Sequence, residues 1–141
     1  MSKVAVVYWS STGNTEAMAN AVAEGAKQAG AEVELIAASD FTPAAAAGYD
    51  AVAFGCPAMG AEELEDSEFA PMFESVKSAV AAKAVALFGS YGWGDGEWMR
   101  SWEADCESAG ISLATESVIC NDAPDDDAAA ACKAMGAALA K

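Results

Sequence analysis

Ser10, Ser11, Thr12, Gly13, Asn14 and Thr15 stand together between an apolar run and the start of a helical pattern. Hydroxyls, one amide side chain and backbone N–H groups converge there. A helix N-terminus adds about half a positive charge, so such a segment can hold a phosphate without Lys or Arg. It is not a Walker A motif, because no Gly-Lys-Ser/Thr follows, nor a Cys-x5-Arg phosphatase loop, nor a G-x-G-x-x-G dinucleotide turn. The alternative reading is an ordinary N-cap turn rich in Ser and Thr.

Two further segments carry unusual chemistry. Cys56, Pro57, Ala58, Met59, Gly60, Ala61 and Glu62 open an acidic loop running to Ser67. Met59 followed by Gly60 suggests an apolar contact next to a mobile peptide, since glycine reaches backbone conformations closed to other residues. Glu62 could accept from a heterocyclic N–H, whereas the remaining acidic residues read as a solvated face. Ser90, Tyr91, Gly92, Trp93, Gly94, Asp95 and Gly96 form the other segment. Glycines there let backbone approach a flat ring closely, and an indole can stack on it; a Trp capping the core edge is the alternative. Asn121 offers one more amide, in what otherwise reads as a turn before Pro124.

The composition narrows what these residues can do. The chain has 141 residues, enough for one domain spanning 1–141, and carries seven basic against 22 acidic residues for a net charge of −15. Such a surface repels nucleic-acid phosphates and anionic lipid. There is no histidine. That excludes His-based acid–base catalysis, Ser-His-Asp chemistry and histidine metal sites. No apolar run approaches the roughly 20 residues of a membrane helix. Met1-Ser2-Lys3 leads straight into Val4-Ala5-Val6-Val7 without a signal-peptide pattern, so a cytoplasmic, soluble protein is expected. Cys56, Cys106, Cys120 and Cys132 form no C-x-x-C pair and read as buried or half-buried free thiols, with only Cys56 open to a reactive role.

The elements that must position these loops follow from periodicity. Strands are expected over 3–9, 32–37, 51–55, 84–89 and 111–120, and helices over 16–29, 40–48 (weak), 69–80, 97–109 and 127–140. Gly30 and Gly110 stop two of the helices, and three aspartates stand at the start of the last, where the helix dipole favours them. Trp98 and Trp102, four apart on one helix, read as core, as does Trp9 at the end of the first strand. Strict alternation implies a parallel α/β sheet with helices on both faces, whose ligand end lies at the carboxyl ends of the strands near the switch in strand order. The loops beginning at Ser10, Cys56, Ser90 and Asn121 should then form one site.

Taken together, Tyr8-Trp9-Ser10-Ser11-Thr12-Gly13-Asn14-Thr15-Glu16-Ala17-Met18-Ala19, Gly55-Cys56-Pro57-Ala58-Met59-Gly60-Ala61-Glu62-Glu63-Leu64-Glu65 and Leu87-Phe88-Gly89-Ser90-Tyr91-Gly92-Trp93-Gly94-Asp95-Gly96-Glu97-Trp98-Met99 resemble short-chain flavodoxins, over essentially the whole chain. The resemblance implies a three-layer sandwich with a five-stranded parallel sheet in the order 2-1-3-4-5, non-covalent FMN, and an electron carrier rather than an enzyme. It implies that Ser10, Thr12, Asn14 and Thr15, with nearby N–H groups including those of Ser11 and Gly13, hold the phosphate. Trp93 and Met59 would cover the two ring faces, and Glu62 would accept from N3–H. N–H groups around Tyr91 and Gly92 would bond the pyrimidine oxygen, with Gly94 in the same cofactor-binding loop and Ser90 and Asn121 near the ribityl or ring edge. The Gly60–Ala61 peptide, next to Pro57 and Ala58 in the same loop, would flip on reduction. Pro57 stands where some relatives have a serine, and Ala61 where several have Asp or Gly. A quinone or nitro reductase using NAD(P)H on the same fold, and a flavin-free phosphate-binding domain, are the alternatives.

Each carboxylate about 12 Å from a fully reduced, anionic flavin costs that anion about 0.35 kcal/mol in water-like dielectric, or about 15 mV. Glu62, Glu63, Glu65, Asp66, Asp95, Glu97, Asp122 and Asp125 fall in or beside the ligand loops. Several together would lower the second potential by about 0.1 V before salt screening. The expectation is a low-potential carrier working between semiquinone and anionic hydroquinone, in place of or alongside ferredoxin. Its acidic rim would meet basic patches on redox enzymes such as an oxoacid oxidoreductase, a hydrogenase or a flavodoxin-dependent reductase. A monomer is the default.

Overall fold

Alternating strands and helices organise the computed structural model, which describes residues 2–10, 13–59, 64–92 and 96–140. The strands are β1 (Lys3–Tyr8), β2 (Glu32–Ala37), β3 (Ala51–Gly55), β4 (Ala84–Tyr91) and β5 (Val118–Asn121). The helices are α1 (Asn14–Gln28), α2 (Pro43–Ala46), α3 (Phe69–Val80), α4 (Glu97–Ser108) and α5 (Asp126–Leu139). Neighbouring strands pair in parallel, in the order β2-β1-β3-β4-β5. β1 feeds β2 on one side while β3 lies on the other, so the switch falls between β1 and β3.

The central strands β1, β3 and β4 are buried on both faces, which is why they read as continuous apolar runs. Alternate residues serve two cores. Val4, Val6, Ala53, Ala86 and Phe88 pack with Met18, Val22 and Ala26 of α1 and Cys132, Met135 and Leu139 of α5. Ala5, Val7, Val52, Phe54, Val85 and Leu87 pack with Phe69, Phe73 and Val76 of α3 and Trp98 and Trp102 of α4. Phe54 centres this second core, edge-on to Phe41, Phe69 and Phe73 at 6.0, 6.5 and 5.1 Å. Such pairs add about 0.5–1.5 kcal/mol each beyond area burial. The alanine-rich first core lets α1 and α5 approach closely. A Cβ on Gly25 would lie 2.0 Å from the Lys133 carbonyl oxygen, and one on Gly136 would lie 2.0 Å from that of Val22.

Several boundaries differ from the sequence expectation, each for a tertiary reason. β1 stops at Tyr8; Trp9 is half-buried and its indole N–H donates to Glu68 Oε1 at 3.0 Å, so it is not a plain core residue. Helix α1 begins two residues early, directly after Gly13 (φ 94°), and the Ala29 side chain is exposed at its C-cap. The weak helix over 40–48 is a 3-10 turn, Ala38–Asp40, followed by the short α2. The Thr42 hydroxyl caps that helix by accepting from the Ala45 N–H, and Pro43 opens it. β4 runs on to Tyr91 because Ser90 and Tyr91 find partners in Cys120 and Asn121. The fifth strand is four residues, not ten. Leu113 bridges Val85 and Val118 pairs with Phe88, so five steps on the edge face three on β4 and the segment between must leave the ladder. The last two helices end one residue earlier than expected, at Ser108 and Leu139.

Candidate cofactor site

The site is built where β1, β3, β4 and β5 end. Ser10 leaves β1, and its Oγ accepts from the Gly13 N–H (3.1 Å) and the Glu16 N–H (3.3 Å), which ties Ser10 to the first turn of α1. Gly13 caps that helix in the left-handed region, and among the described residues a Cβ there would meet nothing within 4 Å, so the space at that position is open. Thr15 faces inward, almost fully buried, with Oγ1 3.2 Å from the buried Ser90 Oγ at the end of β4. Asn14 is half-buried on the same turn.

The second loop is pinned to β4 by backbone. The Cys56 N–H donates to the Phe88 carbonyl (3.1 Å) and the Ala58 N–H to the Ser90 carbonyl (3.0 Å). The Cys56 carbonyl accepts from the Trp98 indole at 3.2 Å. Gly89 makes this approach possible, because a Cβ there would sit 2.2 Å from the Cys56 carbonyl oxygen. Pro57, Ala58 and Met59 follow, all half-buried. Cys56 itself is fully buried, and burial pushes its thiol up to about 12, so it stays protonated and the reactive role is not supported.

The third and fourth loops are joined at one carbonyl. The Tyr91 oxygen accepts from Asn121 Nδ2 (3.2 Å) and from the Asp122 N–H (2.8 Å). Asp122 takes φ 58°, which Asp tolerates better than most residues. Tyr91 is half-buried against Trp98, ring centroids 5.5 Å apart, and Gly92 and Asn121 are exposed.

Thus Ser10, Gly13, Asn14, Thr15, Pro57, Ala58, Met59, Ser90, Tyr91, Gly92 and Asn121 gather at one end of the sheet. Ser90, Tyr91 and Asn121 are strand residues rather than loop residues, since strand pairing reaches to the rim. Ser11, Thr12, Gly60, Ala61, Glu62, Trp93 and Gly94 lie outside the described residues, as do Glu63 and Asp95. A hollow of about 560 Å³ adjoins the Ser10–Gly13 corner between Tyr8, Glu16 and Glu68. A larger one, about 680 Å³, runs between β5 and α5 and reaches this end of the sheet at Tyr91 and Asn121.

The flavodoxin family profile matches residues 6–135. A flavodoxin of Megasphaera elsdenii is 46% identical over 138 residues, 98% of each chain. A flavodoxin of Clostridium beijerinckii is 44% identical over 121 residues, 86% of this chain and 88% of its own. The solution structure of two-electron reduced M. elsdenii flavodoxin matches with a TM-score of 0.89 at 47% identity, covering 97% of this chain and 98% of that one. The chain belongs to the flavodoxin family. Flavodoxins are the type case for a ligand at the switch point of a 2-1-3-4-5 sheet. FMN is accordingly the cofactor, and the chain is an electron-transfer protein rather than an enzyme.

The described residues fit FMN. The open space at Gly13 and the neutral donors at the α1 N-terminus suit a phosphate, and no Lys or Arg stands in residues 9–15 to do that work instead. The half-buried Met59, on a loop pinned at Ala58, suits an apolar ring contact.

One residue of the acidic loop departs from the expected solvated face. Glu65 is 5% exposed. Its Oε1 accepts from the N–H groups of Glu68 and Phe69, both at 2.8 Å; its Oε2 accepts from the Ser67 N–H at 2.8 Å and from the Ser67 hydroxyl. Burial alone pushes this carboxyl up, but the hydroxyl and the three backbone N–H groups outweigh it and hold it at about 2. Glu65 thus caps α3, which has no cap from its own N-cap residue, Glu68. An acidic residue three or four before a helical pattern was the available signal. Its own N–H also donates to Cys56 Sγ at 3.4 Å, tying the end of the loop to its beginning.

Proposed function

We propose that the chain is a low-potential one-electron carrier, shuttling mainly between the semiquinone and anionic hydroquinone levels of non-covalent FMN, in place of or alongside ferredoxin. It does so as one domain over residues 1–141, in the cytoplasm. The observation that carries this reading is charge. The protein holds net −15, and Asp66, Glu97, Asp122 and Asp125, all exposed, belong to the loops and helix starts of the ligand end. Each disfavours the extra negative charge of full reduction by about 15 mV at about 12 Å. Four free thiols suit a reducing compartment.

Bound FMN supplies the redox chemistry; the chain supplies everything else. Ser10, Ser11, Thr12, Gly13, Asn14 and Thr15 would hold the phosphate with neutral donors and the helix dipole. Met59 and Trp93 would cover the ring faces and exclude water. Glu62 would accept from the ring N3–H, and backbone N–H groups near Tyr91 and Gly92 would bond its pyrimidine oxygen. The Gly60–Ala61 peptide would turn its carbonyl toward N5–H on reduction, a hydrogen bond worth about 0.5–1.5 kcal/mol net. The exposed carboxylates would steer the protein to basic patches on an oxoacid oxidoreductase, a hydrogenase or a flavodoxin-dependent reductase. That a relative's structure was solved in its two-electron reduced form supports full reduction within this fold.

Anaerobic reductive titration followed by visible absorption tests the proposal. A yellow form passing through a blue neutral half-reduced form in high yield is expected. Direct bleaching from yellow to colourless would overturn the one-electron reading.

A further inference from the structure

Ser90, on one of the four ligand-end segments, bonds two of the others. Its hydroxyl lies 3.2 Å from that of Thr15, 75 residues away on the phosphate turn. Its carbonyl accepts from the Ala58 N–H, one residue before Met59. The next residue, Tyr91, carries the carbonyl that anchors Asn121 and Asp122. Ser90 is 5% exposed and Thr15 1%, so the hydroxyl pair is shielded from solvent, where a hydrogen bond is electrostatically stronger than in water.

We infer that Ser90 is a positioning residue that couples the phosphate subsite to the ring subsite. The inference rests on the FMN reading above. A hydroxyl pair can be polarised either way, with either oxygen donating. A phosphate dianion only accepts. Where the Thr15 hydroxyl donates to a phosphate over α1, the role proposed for it above, its oxygen is left to accept and Ser90 donates to Thr15. The anion thereby fixes one direction of a two-way hydrogen bond and holds the Ser90 side chain. Ser90 in turn holds Ala58 beside Met59 on one side and Tyr91 on the other, the backbone expected to receive the ring. Removal of the Ser90 hydroxyl cuts this link alone, since the carbonyl that accepts from Ala58 is untouched.

Linkage makes the coupling measurable without the intact cofactor. Riboflavin carries the ring without the phosphate, so its affinity for the full-length protein, freed of flavin, is titrated by flavin fluorescence with and without inorganic phosphate. In the unsubstituted protein phosphate should tighten riboflavin by about 5-fold or more, and riboflavin should tighten phosphate by the same factor. In Ser90→Ala that factor should fall below about 2-fold. A merely structural role would weaken both ligands and leave the factor unchanged. Thr15→Ser, which keeps the hydroxyl, should keep the coupling; if Ser90→Ala does not fold, Ser90→Cys preserves volume and is read the same way. An unchanged factor in the Ser90 variant, or no phosphate effect in the unsubstituted protein, overturns the inference. Failure of the unsubstituted protein to bind FMN at all would overturn the cofactor reading itself, a separate outcome.

Discussion

Replacing Glu65 with Gln tests whether one buried carboxylate sets both the stability and the acid sensitivity of the protein. Glu65 accepts three backbone N–H groups and one hydroxyl ahead of α3. Its carboxyl sits at about 2 against an ordinary 4.5. A depressed carboxyl contributes stability that is complete above the unfolded value and lost as pH falls through the folded one. The shift corresponds to about 3 kcal/mol at pH 7, of which about half remains at pH 3. Gln keeps the volume and one acceptor oxygen but loses the charge and at least one of the four bonds. The assay is urea unfolding of the flavin-free protein and its E65Q variant between pH 7 and pH 3. E65Q should be less stable by about 2–3 kcal/mol at pH 7, and the gap should narrow by about half at pH 3. Comparing the two proteins at each pH removes most of the general effect of relieving the −15 charge, since the variant differs by a single charge. Equal stability at pH 7, or a gap that does not change with pH, would refute the assignment of Glu65 as the charged cap of α3.

The packing and the thiols yield two further predictions. Gly136→Ala should force α1 and α5 apart, because the new Cβ would lie 2.0 Å from the Val22 carbonyl oxygen; a loss of about 3 kcal/mol in denaturant unfolding is expected, and a neutral effect would mean the helices slide freely. Cys56, Cys106 and Cys132 are buried, and burial pushes each thiol up to about 12, whereas Cys120 is half-buried. Alkylation of the native protein at pH 8 followed by peptide mapping should therefore label Cys120 first, and labelling of Cys56 at a comparable rate would contradict the packing of its loop.

What could be read from the sequence divides along a physical line. Alternation, β-branched runs and glycine stops are local, and they were enough to reach a parallel sheet with helices on both faces and the cluster of four loops at its ligand end, whereas the strand order came from the resemblance to flavodoxins. The helix over Phe69–Val80 and the strands Glu32–Ala37 and Ala51–Gly55 stand where the periodicity put them. The departures all turn on partners distant in the chain. Ser90 and Tyr91 look like loop residues until β5 pairs with them, and 111–117 looks like strand until the register on β4 leaves it two residues too long. Trp9 reads as core until Glu68 meets its indole.

The same division explains why the rim of this site, rather than its floor, escapes sequence reasoning. Its floor is strand ends and a helix N-terminus, positions a pattern can find. Its rim is held by single hydrogen bonds between segments far apart: Thr15 to Ser90, Ala58 to Ser90, and Asn121 and Asp122 to Tyr91. None of these leaves a period in the sequence, and three of the four end on a backbone carbonyl that any residue type would provide. Only where the geometry excludes a side chain does the residue type carry the signal, as at Gly89, whose missing Cβ makes room for the Cys56 carbonyl. Substitutions that keep hydrophobic pattern but alter Gly89 or Ser90 should therefore leave the fold recognisable while changing how tightly the four loops act as one.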